Sequence, residues 1–328
     1  MMSDRIQGLV STIIPVHNRP EELVRAVESV LTQTYKQIEI IIIDDGSTDS
    51  TLAVAQQLTS NYPNLIHTYS QTNSGPGVAR EKGRNHAKGE FIQYLDSDDV
   101  LLPKKFEWQI AGLHADPDCD VSYGMCRYCY PDGSVTATPQ KHTGVYVPTI
   151  FPLMLQYRWW HTPVPLYRAE ICDLAGAWTG LRLEEDWEYD CRIASLGGRL
   201  HYCPEYVCEI SMHDGVRLSC GVALDPSRLR DRAKAHELIL NHAFKAGITK
   251  EQPEMQHFSK ELFLLSRQCG AAGLPTESKK LFNLSRQSST LLAKENIKYI
   301  CYKMMASLIG WEYTGKLACW SDRWRNAK

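Results

Sequence analysis

Two short apolar runs in the first hundred residues each end in a cluster of carboxylates. Ile38 to Ile43 is almost continuous in β-branched residues and runs into Asp44 and Asp45. Phe91 to Leu95 runs into Asp96, Ser97, Asp98 and Asp99. Runs of this length and composition read as buried strands. Leu9 to Pro15 and Leu65 to Tyr69 read the same way. Between the four strands, the apolar spacing of Glu21 to Leu31 and the stretches from Ser50 to Ser60 and from Gly77 to about Lys88 predict helices. Ser50 stands at the capping position of the second helix. Strict alternation of strand and helix predicts a doubly wound α/β domain around a mostly parallel sheet. In such sheets ligands bind beyond the carboxyl ends of the strands. The loops after Pro15, Ile43 and Leu95 would therefore share one crevice.

Three carboxylates within four positions repel one another unless a cation neutralises them. Hard oxygen ligands suit Mg²⁺ or Mn²⁺, which would keep positions open for phosphate oxygens. The plainer reading is a polar turn in which one Asp caps a helix starting near Pro103. Asp44 and Asp45 are open to the same two kinds of reading. They can form a turn and cap, or accept the ring N–H of a pyrimidine base or a ribose hydroxyl. Arg80 sits early in its helix, where it can reach a base or diphosphate or serve as a solvated surface charge.

Composition narrows the class. A hydrophobic fraction of 43% over 328 residues is ample for a packed core, and the length favours a large domain plus an appendage. A net charge of −2 gives no reason to expect a nucleic acid polymer as partner. The eleven cysteines are scattered and the N-terminus lacks a basic, apolar leader, so reduced thiols in a cytoplasmic protein are expected. Cys126 and Cys129 form one CxxC with no second pair, a weak case for zinc. No apolar run is long enough to span a membrane.

Beyond residue 113 the pattern loosens. Strands are expected at Val121 to Tyr130, Val164 to Tyr167 and Leu200 to Tyr202, and a helix at Glu185 to Leu196. Leu229 to Ala246, Pro253 to Ala271 and Pro275 to Ala293 carry helix-period apolar residues. The expected division is residues 1–220 as a catalytic domain and 221–328 as a helical C-terminal region. Ile297 to Trp311 mixes apolar residues with Lys298 and Lys303. It reads either as an interfacial helix, giving peripheral membrane contact at the inner face, or as a helix packed on its own protein or a partner.

The motifs of the first hundred residues resemble the family 2 glycosyltransferases, which have the GT-A fold. The matching stretches are Val10 to Arg19, Ser29 to Tyr35, Ile43 to Asp49, Gly77 to Arg80 with Gly83, Ala87 to Ile92, and Leu95 to Asp99. The likeness returns at Thr162 to Arg168 and Glu184 to Glu188 and fades after about 220. One departure is His17, where the family often has Tyr, which puts aromatic stacking on the base in doubt.

The resemblance implies a metal-dependent, inverting transfer of a sugar from a nucleotide-sugar donor to a glycan or lipid-linked acceptor. A UDP- or dTDP-linked donor is implied, with guanine still open. The residues it assigns to the donor are Pro15, His17, Asn18, Arg19, Asp44, Asp45, Arg80, Asp96, Ser97 and Glu185. Asp96 and Asp98 would hold Mn²⁺ or Mg²⁺, with His213 completing the coordination, and Asp186 would be the general base. Asp186 can otherwise be a helix N-terminal acid facing the dipole. Trp159 and Trp160 are acceptor-site candidates that could equally be core. A non-catalytic binding module of the same fold is the main rival. A sugar-nucleotide pyrophosphorylase ranks lower, because Val16 to Pro20 is not a Gly-rich, basic nucleotide loop. The acceptor, the sugar and the oligomeric state are not legible.

Overall fold

The computed structural model describes residues 5–212, 224–290 and 293–326. The contacts divide the chain into two compact units whose segments interleave. One comprises Met1–Ile150, Arg158–Gly180 and Leu196–Gly215; the other comprises Phe151–Tyr157, Leu181–Ser195 and Val216–Lys328. The single boundary expected at 220 therefore misses two short segments, 151–157 and 181–195, that belong with the C-terminal helices.

The first unit is built on the expected alternation. Strand β1 (Ile6–Val16) leads to helix α1 (Pro20–Leu31), then β2 (Ile38–Asp44), α2 (Thr51–Asn61), β3 (Ile66–Ser70), α3 (Pro76–His86) and β4 (Gly89–Tyr94). All seven residues of β2 are buried, which is why five of them are isoleucine rather than alternating with polar residues; the two acids, Glu39 and Asp44, are buried with them. β5 (Val100–Leu101), α4 (Lys105–Ala115), β6 (Val121–Cys129), β7 (Leu166–Arg168), α5 (Ala169–Ala175) and β8 (Leu200–Ser211) complete the unit. The eight strands form one sheet in the order β3-β2-β1-β4-β7-β6-β8-β5. β1 pairs in parallel with β2 and β4, and β2 with β3. β7 runs antiparallel to both β4 and β6.

Register fixes where the acidic loops emerge. Val16 pairs with Asp44, Asp44 with Ser70, and Ile13 with Tyr94, so the carboxyl ends of the four parallel strands lie along one edge. The turns beyond them stay aligned, because Asp45 donates its N–H to the Val16 carbonyl at 2.8 Å and Leu95 to that of Ile13 at 3.0 Å. Close packing of α3 on β1 depends on Gly83, where a Cβ would stand 2.3 Å from Ile13 Cγ2.

Two local expectations are corrected, and one strand is added. Ser50 makes no side-chain cap; Asp49 Oδ1 instead accepts from the Thr51 N–H at 2.9 Å and its hydroxyl at 2.5 Å. β5 was not legible, because two residues carry no periodicity. β8 extends well past Tyr202: Gly124 pairs with Cys203 and Met125 with Tyr206, so Pro204 and Glu205 are looped out of the ladder and hide its continuation.

The second unit is helical. α6 (Glu185–Ser195), α7 (Pro226–Lys245), α8 (Pro253–Ala271), α9 (Pro275–Ser288) and α10 (Ala293–Asn326) make it up, with a non-helical residue inside α10 at Gly310. Buried serines join α8 to α9. Ser259 and Ser285 each donate to the other's carbonyl, at 2.7 and 2.6 Å, and Ser266 donates to that of Ser278 at 2.7 Å. Phe282, Tyr299 and Tyr302 form an aromatic core where α9 meets α10.

Candidate active site

At the carboxyl edge of the parallel strands, three loops meet. Asn18, in the loop after β1, holds the left-handed conformation at φ 52°. That posture lets its N–H donate to Ser47 Oγ at 3.0 Å while its Oδ1 accepts from the Thr48 N–H at 2.8 Å. His17 Nδ1 lies 3.0 Å from the Asp45 carbonyl. The first and second loops are thus tied together by their own polar groups.

The two acids after β2 play different parts. Asp45 is buried and accepts from the Gln71 amide and the Ser74 N–H, both at 2.8 Å, and from the Gly75 N–H at 2.9 Å. It fastens the Gly-rich loop before α3 to the end of β2. Gly46 lets this loop approach: at φ 73° a Cβ would meet the Asn73 nitrogen at 2.6 Å. Asp44 is 2% exposed; its Oδ2 receives the Ser47 N–H at 3.3 Å, while the buried Oδ1 has no hydrogen-bond partner among the described residues. A buried carboxylate oxygen without a donor is costly, and a ligand N–H or O–H would relieve it.

The Asp96–Asp99 turn links β4 to β5. None of its acids caps α4, whose N-cap position is Lys104, so the plainer reading of the cluster fails. Asp96 pairs with the Arg80 guanidinium at 2.7 Å, and Asp98 with that of Arg19. Asp99 is buried and accepts from the Ser211 N–H at 3.0 Å. Burial pushes its carboxyl well above the ordinary carboxylate range, and the charges of Asp98 and Asp96 push it further. Arg80 is not a solvated surface charge. It is 3% exposed, with its guanidinium 4.9 Å above the Trp178 ring. Trp178, which stacks edge-on to Tyr94 at 4.9 Å, carried no sequence signal, being one isolated aromatic in an irregular stretch. Ser97 is buried within the same turn, and Pro15 pairs with Ile43 just below it.

Trp159 and Trp160 are corrected as acceptor-site candidates. They are 3% and 0% exposed, so neither offers a ring face to a sugar, and Trp160 packs on Tyr123 with centroids 5.5 Å apart. Cys126 is buried inside β6 and, three positions from Cys129, points to the opposite face. His213 lies outside the described residues.

Asp186 and Glu185 belong to the second unit, in the first turn of α6. Asp186 is partly exposed and Glu185 buried. The preceding Glu184 sits at φ 60°, an unusual conformation for this residue. It is held by Arg232 Nε at 2.8 Å and by His236 Nδ1 at 3.0 Å. Burial raises the Glu184 carboxyl, but His236 and Arg232 outweigh it and keep the group below its ordinary value. One turn on, Glu188 is paired with Arg192 at 2.5 Å and His242 at 2.8 Å. Trp187 anchors the turn by donating to the Met154 carbonyl at 2.8 Å. The start of α6 is therefore fixed from α7 and from segment 151–157. The sequence signals Asp186 but not these supports: those on α7 lie about fifty residues further on, and Met154 about thirty residues back.

The profile of the family described as "Glycosyl transferase family 2" matches residues 11–172, a stretch that contains all three loops. That stretch, just under half of the chain, is similar to glycosyltransferase family 2. An uncharacterized glycosyltransferase of Escherichia coli, YibD, is 35% identical over 129 residues, 39% of this chain and 36% of its own length. One from a Nostoc species is 44% identical over 98 residues, 30% of each chain. The chain thus spans about a third of the length of these relatives. Among solved structures, S. aureus TarS 1–349 in complex with UDP-GlcNAc aligns with a TM-score of 0.64 at 18% identity, covering 92% of each chain. The mannosyltransferase PcManGT of Pyrobaculum calidifontis, in complex with GDP-Man and Mn²⁺, aligns at 0.52 and 17%, covering 94% of this chain and 84% of that one. The fold is that of the GT-A glycosyltransferases, with a helical C-terminal region.

Proposed function

We propose that the protein transfers a sugar from a UDP- or dTDP-linked donor to a hydroxyl of a glycan or lipid-linked glycan, with inversion at the anomeric carbon. The observation that carries this is the meeting of Asp44, Arg19–Asp98 and Arg80–Asp96 at the carboxyl edge of the parallel strands of one sheet. The arrangement pairs a buried acceptor, suited to a base or ribose, with acids and guanidinia suited to a diphosphate and its cation. The likeness to a fold seen with UDP-GlcNAc and with GDP-Man supports the donor class.

Asp96 and Asp98 fit a divalent cation by donor chemistry. Two hard carboxylates on one turn, completed by phosphate oxygens and water, is the way Mg²⁺ is usually held. Among the described residues there is no cluster of three or more His, Cys, Asp or Glu with metal-binding geometry, so phosphate oxygens and water would have to supply the remaining ligands. A bound Mn²⁺ or Mg²⁺ would neutralise charge developing on the leaving diphosphate. Arg19 and Arg80, now on the carboxylates, would turn to phosphate oxygens when the cation takes their place. Asp186, on its fixed turn, would accept the proton of the acceptor hydroxyl as that oxygen attacks the anomeric carbon from the side opposite the leaving group.

The test is release of nucleoside diphosphate from a panel of UDP-, dTDP- and GDP-sugars with Mn²⁺ and a mixed glycan acceptor pool. Asp186→Asn should keep donor binding and lose transfer by a factor of about 10² or more. Full transfer by that variant would remove Asp186 as base. Absence of both donor binding and release across the panel would favour a non-catalytic module.

A further inference from the structure

The outer face of α10 is apolar and uncovered in its own unit. Tyr299, Tyr302 and Ala306 form the inward face, each 7% exposed or less. At about 100° per residue, Ile297, Ile300, Met304 and Leu308 fall on the opposite side. All four are exposed, Leu308 to 81%. Beyond the break at Gly310 the pattern resumes with Tyr313, Leu317 and Trp320, the last 67% exposed, while Thr314 turns inward. A helix whose inner and outer faces are both apolar expects a second apolar environment.

The charges identify that environment. By the same rotation, Lys298 and Lys303 flank the exposed arc, one at each border with the buried face, and both are exposed. Lysines in this position can lay their methylenes along an apolar surface and raise their ammonium groups to its polar boundary. Glu312 is held by Lys316 at 2.5 Å and Asp322 by Arg267, so neither of these two acids neutralises the flanking lysines. Tyr313 and Trp320 add amphipathic rings of the kind that settle at a headgroup layer. A second copy seated on this face would bring like charges together along the seam. No helix among the described residues is long and apolar enough to cross a membrane, so insertion would be shallow.

We propose that α10 docks the protein on an anionic lipid surface, lying in the interface with its outer face among the acyl chains and Lys298 and Lys303 at the headgroups. This rests on α10 alone and is independent of the reading of the active site.

The experiment is co-sedimentation of the full chain with vesicles of phosphatidylcholine alone, and of phosphatidylcholine and phosphatidylglycerol in equal parts, at low and high salt. Binding is expected to the anionic vesicles, and salt should weaken it. The double variant Lys298→Gln/Lys303→Gln should lower partitioning by about tenfold or more. Leu308→Gln/Trp320→Gln should abolish it with an unchanged melting temperature, since both side chains point outward. Absence of binding to either vesicle would overturn the proposal. So would equal binding to both vesicles, or a concentration-dependent dimer that Leu308→Gln dissolves while vesicles pellet nothing.

Discussion

Asp45 carries an unusual share of the site's construction, and Asp45→Ala measures it. The substitution removes one carboxylate and strands three donors: the Gln71 amide, the Ser74 N–H and the Gly75 N–H. Gly75 is buried, so its N–H cannot turn to water, whereas Ser74 and Gln71 are partly exposed and can. One buried orphan donor at about 1–3 kcal/mol, plus the loss of two bonds to a charged acceptor that water partly replaces, gives about 3–5 kcal/mol of destabilisation. Asp45→Asn should cost less, because its carbonyl still serves one side of the loop while its NH₂ opposes a donor on the other. The assay is urea unfolding combined with amide hydrogen exchange over residues 71–80. The Gly75 amide should exchange far faster in Asp45→Ala, and the unfolding midpoint should fall. Unchanged protection at Gly75 and a loss below about 0.5 kcal/mol, the level of an ordinary surface substitution, would refute the reasoning.

Other outcomes follow from single packing and charge facts. Gly83→Ala should lose about 1–3 kcal/mol in the same unfolding assay, because the new methyl overlaps Ile13 Cγ2 and must push α3 off β1. Lys105 is fully buried, donating to the Gln109 side-chain oxygen at 2.5 Å and the Val164 carbonyl at 2.8 Å, and burial pushes its ammonium down to about 7. The unfolded chain holds that proton up to about 10.5, so between pH 7 and 10.5 it binds more protons than the native state. Stability should therefore rise with pH across this window, other groups being equal, and Lys105→Met should flatten the rise; an identical pH slope in the two proteins would contradict the assignment.

How much was legible depended on how local each signal was. The alternation from β1 to β4 could be read because each of those elements carries its own periodicity over five or more residues. The acids could be placed on one edge because parallel strands must end together. β5 and the continuation of β8 escaped, the first because it is two residues long and the second because Pro204 and Glu205 are looped out of register. At the site, the residue types at Asp44, Asp96 and Asp98 announced their chemistry, but their partners did not. Arg80 could be read as a surface charge until the Trp178 ring beneath it was seen, and Trp159 and Trp160 could be read as a sugar platform until their burial was. The supports of Asp186 come from Arg232, His236 and His242, contacts across some fifty residues that no periodicity encodes.

In the proposed donor site, Asp96 and Asp98 would share a divalent cation with a nucleoside diphosphate. The direct measurement is calorimetric titration of UDP into the protein with Mn²⁺ and with EDTA, repeated on Asp98→Asn. Binding by the unaltered protein should depend on Mn²⁺, and binding by Asp98→Asn should be no stronger with Mn²⁺ than with EDTA, with the melting temperature retained. Mn²⁺-enhanced binding by Asp98→Asn equal to that of the parent would contradict this site.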